Sequence, residues 1–180
     1  MIEIRWHGRG GQGSFTASRI LGAAASVYGG INAMAFPSFG PERRGAPVLG
    51  FTKLSREPIT DRSEILNPDY VIVLDESLWE EGVTLGLKED TVIILNTQNA
   101  RPYREKVSQR VVGADVTAVA LEVTGLPMAN LGMMGAFAAV EDTVALEAIH
   151  KAVLDAMKPS VAQKNIEVIQ RVYHAVKEAL

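Results

Sequence analysis

Apolar and polar residues alternate from Ile2 to Trp6 (IEIRW), the period of a strand with one buried face. Glycines follow at Gly8, Gly10, Gly11 and Gly13. From Ser14 to Gly30 the apolar positions Phe15, Ile20, Leu21, Ala24, Val27 and Tyr28 leave little polar surface beyond Ser18 and Arg19. That pattern predicts a helix buried on more than one side, with Gly29-Gly30 as its stop. INAMAF reads as a second strand and APVLGFTKLS, Ala46 to Ser55, as a third, with the proline-bearing loop PSFGPERRG between them. DYVIVLD at 69–75 and DTVIILN at 90–96 are unbroken β-branched runs, as in parallel strands covered on both faces, and SLWEEGV between them suits a connecting helix. A further strand near 109–113 and a helix from about Val116 to Val123 repeat the unit. NLGMMGAFAAV, VALEAIHKAVLDAM and AQKNIEVIQRVYHAVKEAL then carry helical spacing to the end, the last helix starting at Pro159-Ser160 with Ser160 as its expected cap.

Strand and helix in succession predict an α/β fold: a single domain with a largely parallel sheet, helices on both faces and a helical C-terminal third. Length agrees, since 180 residues suit one domain, and no linker, repeat or low-complexity tract divides them. With 47% hydrophobic and 22% charged residues the composition is that of an ordinary globular protein. A net charge of −3 gives no reason to expect nucleic acid, and no apolar run or leader-like start points to a membrane, so a cytoplasmic location is the default expectation. Cysteine is absent, which removes disulfides, thiol nucleophiles and cluster ligation by thiolate. Any redox centre would have to sit on another chain.

Gly8, Gly10 and Gly13 fit G-x-G-x-x-G between a strand and a helix, the context of a dinucleotide fingerprint. The fingerprint also needs a carboxylate at the end of the second strand, and none occurs between Glu3 and Glu42. Two other readings stand beside it: a backbone corner where glycine supplies positive φ and lets the helix pack closely, and an amide nest for a phosphate or carboxylate. His7, with no Ser or Asp at catalytic spacing, is expected to be structural, and His150 and His174 lack a second metal ligand. Asp75 and Asn96 at strand ends read as caps or turn residues. In NLGMMGAF the small residues Gly132, Gly135 and Ala136 predict close helix packing. The loop FPSFGPERRGAPV displays Glu42, Arg43 and Arg44 on a proline- and glycine-stiffened frame, a form suited to recognising carboxylates or phosphates. It leaves the second strand on the same sheet edge as the glycine corner.

EIRWHGRGGQG at 3–13, FPSFGPERRGAPV at 36–48 and NPDYVIVLD at 67–75 together resemble the gamma subunits of pyruvate:ferredoxin oxidoreductases, over Met1 to about Ala138. The resemblance implies a gamma-type domain spanning 1–180 in an enzyme that oxidatively decarboxylates a 2-oxoacid with coenzyme A and reduces ferredoxin. The glycine loop and FGPERRGAP look more like the pyruvate or branched-chain type than the 2-oxoglutarate type. It implies alpha, beta and delta partner subunits carrying thiamine diphosphate, magnesium and iron–sulfur clusters, with none of these bound by this chain alone. No thiamine diphosphate motif is present, since GAD at 113–115 lacks its second glycine, so the isolated chain is expected to be inactive. Carried over as interface or active-site-shaping residues, with no chemical step assigned, are Gly8, Gly10, Gly11, Gln12 and Gly13 in the first loop. Gly40, Pro41, Glu42, Arg43, Arg44 and Gly45 come from the second. The competing readings are a stand-alone dinucleotide-binding oxidoreductase using the GRGGQG loop, and a module whose Gly/Met helix pairs with a second copy; homodimerisation is expected to be open to the isolated chain.

Overall fold

Ile4 and Trp6, two of the alternating apolar residues at the N-terminus, are fully buried on one face of a central strand, β1 (Ile2–Arg9). The computed structural model of the chain describes residues 1–38 and 44–180. β1 runs past the expected end at Trp6 because it pairs antiparallel with β3 (Pro47–Ser55) all the way from Ile2↔Leu54 to Arg9↔Pro47. The ladder holds extended a stretch whose glycines alone would not. On its other side β1 pairs parallel with β4 (Tyr70–Val73), followed by β5 (Val92–Asn96) and β6 (Arg110–Ala114), all parallel. β2 (Asn32–Pro37) adds to the outer edge of β3, antiparallel, and completes a six-stranded sheet of order β2-β3-β1-β4-β5-β6.

Side-chain alternation divides the core into two unequal layers. Ile4, Trp6, Leu54, Ile72, Ile94 and Val112 point to the thick layer. Its helices are α1 (Ser14–Ala23), α3 (Val116–Thr124), α4 (Gly132–Val140), α5 (Leu146–Ala156) and α6 (Pro159–Ala179). Val71, Val73, Ile93, Leu95 and Val111 point the other way, against Leu78, Trp79 and Val83. That second face is covered only by a 3₁₀ turn (Glu76–Leu78), a π turn (Trp79–Val83) and α2 (Arg101–Arg104), a helix the sequence pattern did not predict. SLWEEGV is therefore two tight turns and not a regular helix. Gly82, at φ 94, breaks the hydrogen-bond ladder there.

The helix after the glycine loop holds α geometry to Ala23 and then widens to a π turn, Ala24–Tyr28, closed by Gly29 and Gly30. α6 begins two residues earlier than a Ser160 cap would place it, with Pro159 in its first turn after Lys158 and no side-chain cap, so Ser160 lies inside the helix and does not cap it. Gly132 and Gly135 do what close packing requires. A Cβ on Gly135 would lie 2.2 Å from the Ile169 carbonyl oxygen of α6, and one on Gly132 would lie 2.4 Å from Val116 Cγ1. The small-residue face thus meets a helix of its own chain.

Candidate functional site

The glycine corner forms where β1 hands over to α1. Gly11 and Gly13 sit at φ 91 and 76, left-handed values that favour glycine, and Gln12 N–H closes the turn onto the Arg9 carbonyl at 2.9 Å. Gly8 is packed against α1, since a Cβ there would lie 3.0 Å from the Ser14 Cβ. Gln12 folds back: its Oε1 accepts the Arg9 N–H at 2.7 Å while its Nε2 donates to Asp75 at 2.9 Å. Arg9 donates to Ser77 at 2.8 Å and pairs with Glu81 at 3.0 Å, with Asp75 at 3.5 Å. Partial burial works to raise the Asp75 pKa, but hydrogen bonds from Ser77 and Gln12 and the Arg9 charge outweigh it and hold the carboxyl below its usual range. As expected, Asp75 is a cap, accepting the Ser77 N–H at 3.0 Å.

The far end of the second loop lies against this corner. Gly10 N–H donates to Ala46 O at 2.8 Å, Gly45 N–H donates to Gly10 O at 3.0 Å, and Gly10 pairs with Arg44 in an isolated parallel bridge. Arg9 adds a bond to the Gly45 carbonyl at 3.2 Å. Of the residues expected in the two loops, Gly8, Gly10, Gly11, Gln12, Gly13, Arg44 and Gly45 therefore share one rim, with Arg44 exposed. Gly40, Pro41, Glu42 and Arg43 lie outside the described residues. β2 runs parallel to β1, so its end at Pro37 reaches the same rim, and Ser38 N–H bonds Leu49 O at 3.0 Å.

α1 starts at this corner with Gly13 as its cap residue and no side-chain cap. The positive end of the helix therefore faces a groove of about 1200 Å³ that runs from Ser14, Phe15 and Thr16 past Val48 and Met128 to Val161 and Lys164 of α6. Such an arrangement can hold an anionic group against the first amides and an apolar body along the groove. Asn130, buried and inferred from neither motif nor spacing, braces the corner by donating to Gly13 O at 3.3 Å; a Cβ on Gly13 would fall 2.6 Å from its Nδ2.

The features of a dinucleotide site are not assembled here. β2 ends in Phe36-Pro37, so among the described residues no carboxylate stands where ribose hydroxyls would be held. The adjoining crevice of about 750 Å³ at the ends of β4, β5 and β6 is rimmed by Asp75, Glu76 and Asp115, a sign of charge that disfavours phosphate. Asn96 there is structural: its Oδ1 accepts the Val116 and Thr117 N–H groups at 3.0 and 3.2 Å, and its Nδ2 donates to Leu74 O at 2.9 Å and Thr117 Oγ1 at 2.8 Å.

His7 is buried with its Nε2 accepting from Arg5 Nε at 3.0 Å. Desolvation first, and then the Arg5 charge, push its pKa down to about 3, so the imidazole is neutral and serves neither as a base near neutrality nor as a cation. Arg5 itself, 5% exposed, donates to the Leu66, Val83 and Leu85 carbonyls. Lys53 is fully buried against Asp61 at 2.6 Å and Glu3 at 3.4 Å. Neither cation was foreseen, because an alternating strand shows which residues share a face and not which face is covered. Among the described residues no three His, Asp or Glu side chains gather as metal ligands, and no helix is long and apolar enough to cross a membrane.

Comparison with known proteins bears on these features. Residues 3–175 match the family model described as pyruvate ferredoxin/flavodoxin oxidoreductase. Pyruvate synthase subunit PorC of Methanocaldococcus jannaschii is 45% identical over 175 residues, 97% of this chain and 96% of its own. The common gamma subunit of the pyruvate/ketoisovalerate oxidoreductases of Pyrococcus abyssi is 42% identical over 96% of each chain. The crystal structure of pyruvate oxidoreductase subunit PORC from Thermotoga maritima superposes with a TM-score of 0.85 at 34% identity, covering 96% of this chain and 95% of that one. A 2-oxoglutarate:ferredoxin oxidoreductase from Magnetococcus marinus shares the fold at 17% identity and a TM-score of 0.80, this chain matching 31% of its length.

Proposed function

The chain belongs to the pyruvate ferredoxin/flavodoxin oxidoreductase family as a gamma subunit, and from that premise we propose that it is the non-catalytic gamma subunit of a pyruvate:ferredoxin oxidoreductase. The assembled enzyme oxidatively decarboxylates pyruvate with coenzyme A and passes two electrons to ferredoxin. The observation that carries the assembly role is the knitting of the two signature loops into one rim through Gly10, Gly45, Ala46 and Arg9. It gives a preorganised backbone surface from which Arg44 projects to a partner. Rigid arginine-bearing rims bind with little ordering cost, as interface anchors require.

The residues present do not fit the redox groups of such an enzyme. A chain without cysteine offers no thiolate to a cluster, and the thiamine diphosphate motif is missing. Alpha, beta and delta chains would carry those groups, in the cytoplasm. What this chain does is shape and seat: Gln12 and Asp75 fix the turn, and the uncapped start of α1 leaves amide donors for an anionic group at the subunit boundary. The gamma subunit of Pyrococcus abyssi is named as common to a pyruvate and a ketoisovalerate enzyme. Substrate choice in that system then rests on other chains, and pyruvate is proposed here from the PorC relatives.

The test is recovery of the tagged chain from its native host. Partners bearing thiamine diphosphate and iron–sulfur clusters should accompany it, with pyruvate- and coenzyme A-dependent ferredoxin reduction; recovery as a lone chain would sink the proposal. Arg43→Ala and Arg44→Ala are expected to lower partner recovery about tenfold or more, the loss of an arginine anchor. Arg44 is exposed, so its loss should leave the melting temperature of the isolated chain within about 2 °C. Unchanged recovery, or a large fall in melting temperature, would refute this.

A further inference from the structure

The thin side of the sheet holds a feature that the rim of Arg44 and Gly45 does not account for. On β1 and β3, cross-strand partners Arg5↔Phe51 and His7↔Leu49 face away from the helices. With Leu66, Leu78 and Leu85 they wall a cavity of about 690 Å³, within the size range of small-molecule sites. Two buried polar groups, Arg5 and His7, stand among its mostly apolar walls, with Ser38, Glu64, Asn67 and Glu81 also in its lining.

Arg5 is the first. Its guanidinium is spent on three backbone carbonyls and on His7, all neutral, and among the described residues no carboxylate reaches ion-pair distance of it. Buried charges in proteins are paired, and this one lacks its counter-charge. His7 is the second. A guanidinium can only donate, so His7 Nε2 must carry the lone pair and the ring proton must sit on Nδ1. Among the described residues no protein acceptor meets that Nδ1–H, which is reachable from the cavity that His7 lines and not sealed in the core. A fixed donor, polarised by the adjacent cation and left without an acceptor, stands beside an unneutralised positive charge.

We propose that this cavity is a binding site for a small monocarboxylate with an apolar body, whose carboxylate accepts from His7 Nδ1–H and neutralises the Arg5 charge. The apolar body lies against Leu49, Phe51 and Leu78. Among the described residues the other charged groups around the cavity are Glu81, already paired with Arg9, and Glu64, which is exposed; neither comes within ion-pair distance of Arg5. This site shares Gly8 with the glycine corner, but its ligand reading does not depend on the subunit proposal.

The probe is benzoate, titrated into the full-length isolated chain labelled with ¹⁵N, with acetophenone as the neutral analogue of the same shape. Benzoate should shift the Arg5 Nε and His7 ring resonances saturably, with a dissociation constant in the millimolar range set by its size. Acetophenone should bind at least about tenfold more weakly, since it cannot neutralise the cation. Because His7 stays neutral, benzoate affinity should be flat from about pH 8 to pH 6, whereas an imidazolium site would strengthen across that interval. His7→Glu places a carboxylate beside Arg5 within the chain and should abolish benzoate binding while leaving the fold intact. Leu49→Trp, which fills the cavity from the position opposite His7, should do the same. No saturation up to about 50 mM benzoate, equal binding of acetophenone, or undiminished binding by the folded variants would overturn the proposal.

Discussion

Replacing Gly135 by alanine tests the contact on which the thick layer depends. The new methyl carbon would lie 2.2 Å from Ile169 O, 3.0 Å from its carbonyl carbon and 3.1 Å from its Cα. These are backbone atoms in the middle of a 21-residue helix, so no side chain can rotate out of the way. α6 must retreat by about 1 Å to restore van der Waals distance, and a gap of that size forfeits a quarter to a half of the contact energy it opens. The helix buries Val168, Ile169, Val172 and Val176, each worth about 2 kcal/mol, so a quarter of that is about 2 kcal/mol. Overpacking strain adds about 1–3 kcal/mol, and the better helix propensity of alanine returns about 1 kcal/mol. The net expectation is a loss of about 2–4 kcal/mol, or about 5–15 °C in melting temperature for a domain of this size. Thermal unfolding of the isolated chain followed by circular dichroism measures it. Gly125→Ala serves as control: its φ of 77 carries backbone strain but nothing lies within 4 Å of the added carbon, so only about 1 kcal/mol is at stake. A Gly135→Ala protein that melts within about 2 °C of the parent would show that α4 and α6 are not seated on that glycine.

Two further outcomes follow from buried polar groups. His7 is held neutral when folded and takes a proton near pH 6.5 when unfolded, so its contribution is complete above that pH and is lost as pH falls toward about 3. Urea unfolding should show the parent losing about 2 kcal/mol more than His7→Gln between pH 7 and pH 5; parallel pH profiles would contradict a neutral buried imidazole. Asn96→Ala removes four hydrogen bonds that tie β4, β5 and the start of α3. A loss of about 2–4 kcal/mol in chemical denaturation is expected from the orphaned groups, and a change under about 0.5 kcal/mol would show that water replaces them.

The hydrophobic pattern determined a good deal. The β-branched runs at 69–75 and 90–96 could bury both faces only inside a parallel sheet, and they do. The small residues of NLGMMGAF predicted a close contact, and Gly132 and Gly135 make it with Val116 and Ile169. The two loops announced themselves by glycine and proline, whose backbone preferences are intrinsic to the residue. Their meeting at one rim was expected from the second loop leaving the second strand on the same sheet edge as the glycine corner, while the antiparallel pairing of β1 with β3 that joins them was not.

Pairing and coverage were decided only by the tertiary structure. β1 extends through Gly8 because Val48 lies opposite, and SLWEEGV becomes two turns, with Glu81 and Gly82 out of helical geometry. Arg5, His7 and Lys53 alternate with apolar neighbours as solvent-facing residues do, and nothing local distinguishes them. They are buried because Leu66, Leu85 and Asp61 come from distant segments to cover that face. Side-chain period is a property of the local chain, whereas the dielectric around a charge depends on what else the fold brings to it. The sequence could therefore specify the frame and its rim, and only the assembled fold could make a strand arginine into a buried cation held by backbone carbonyls.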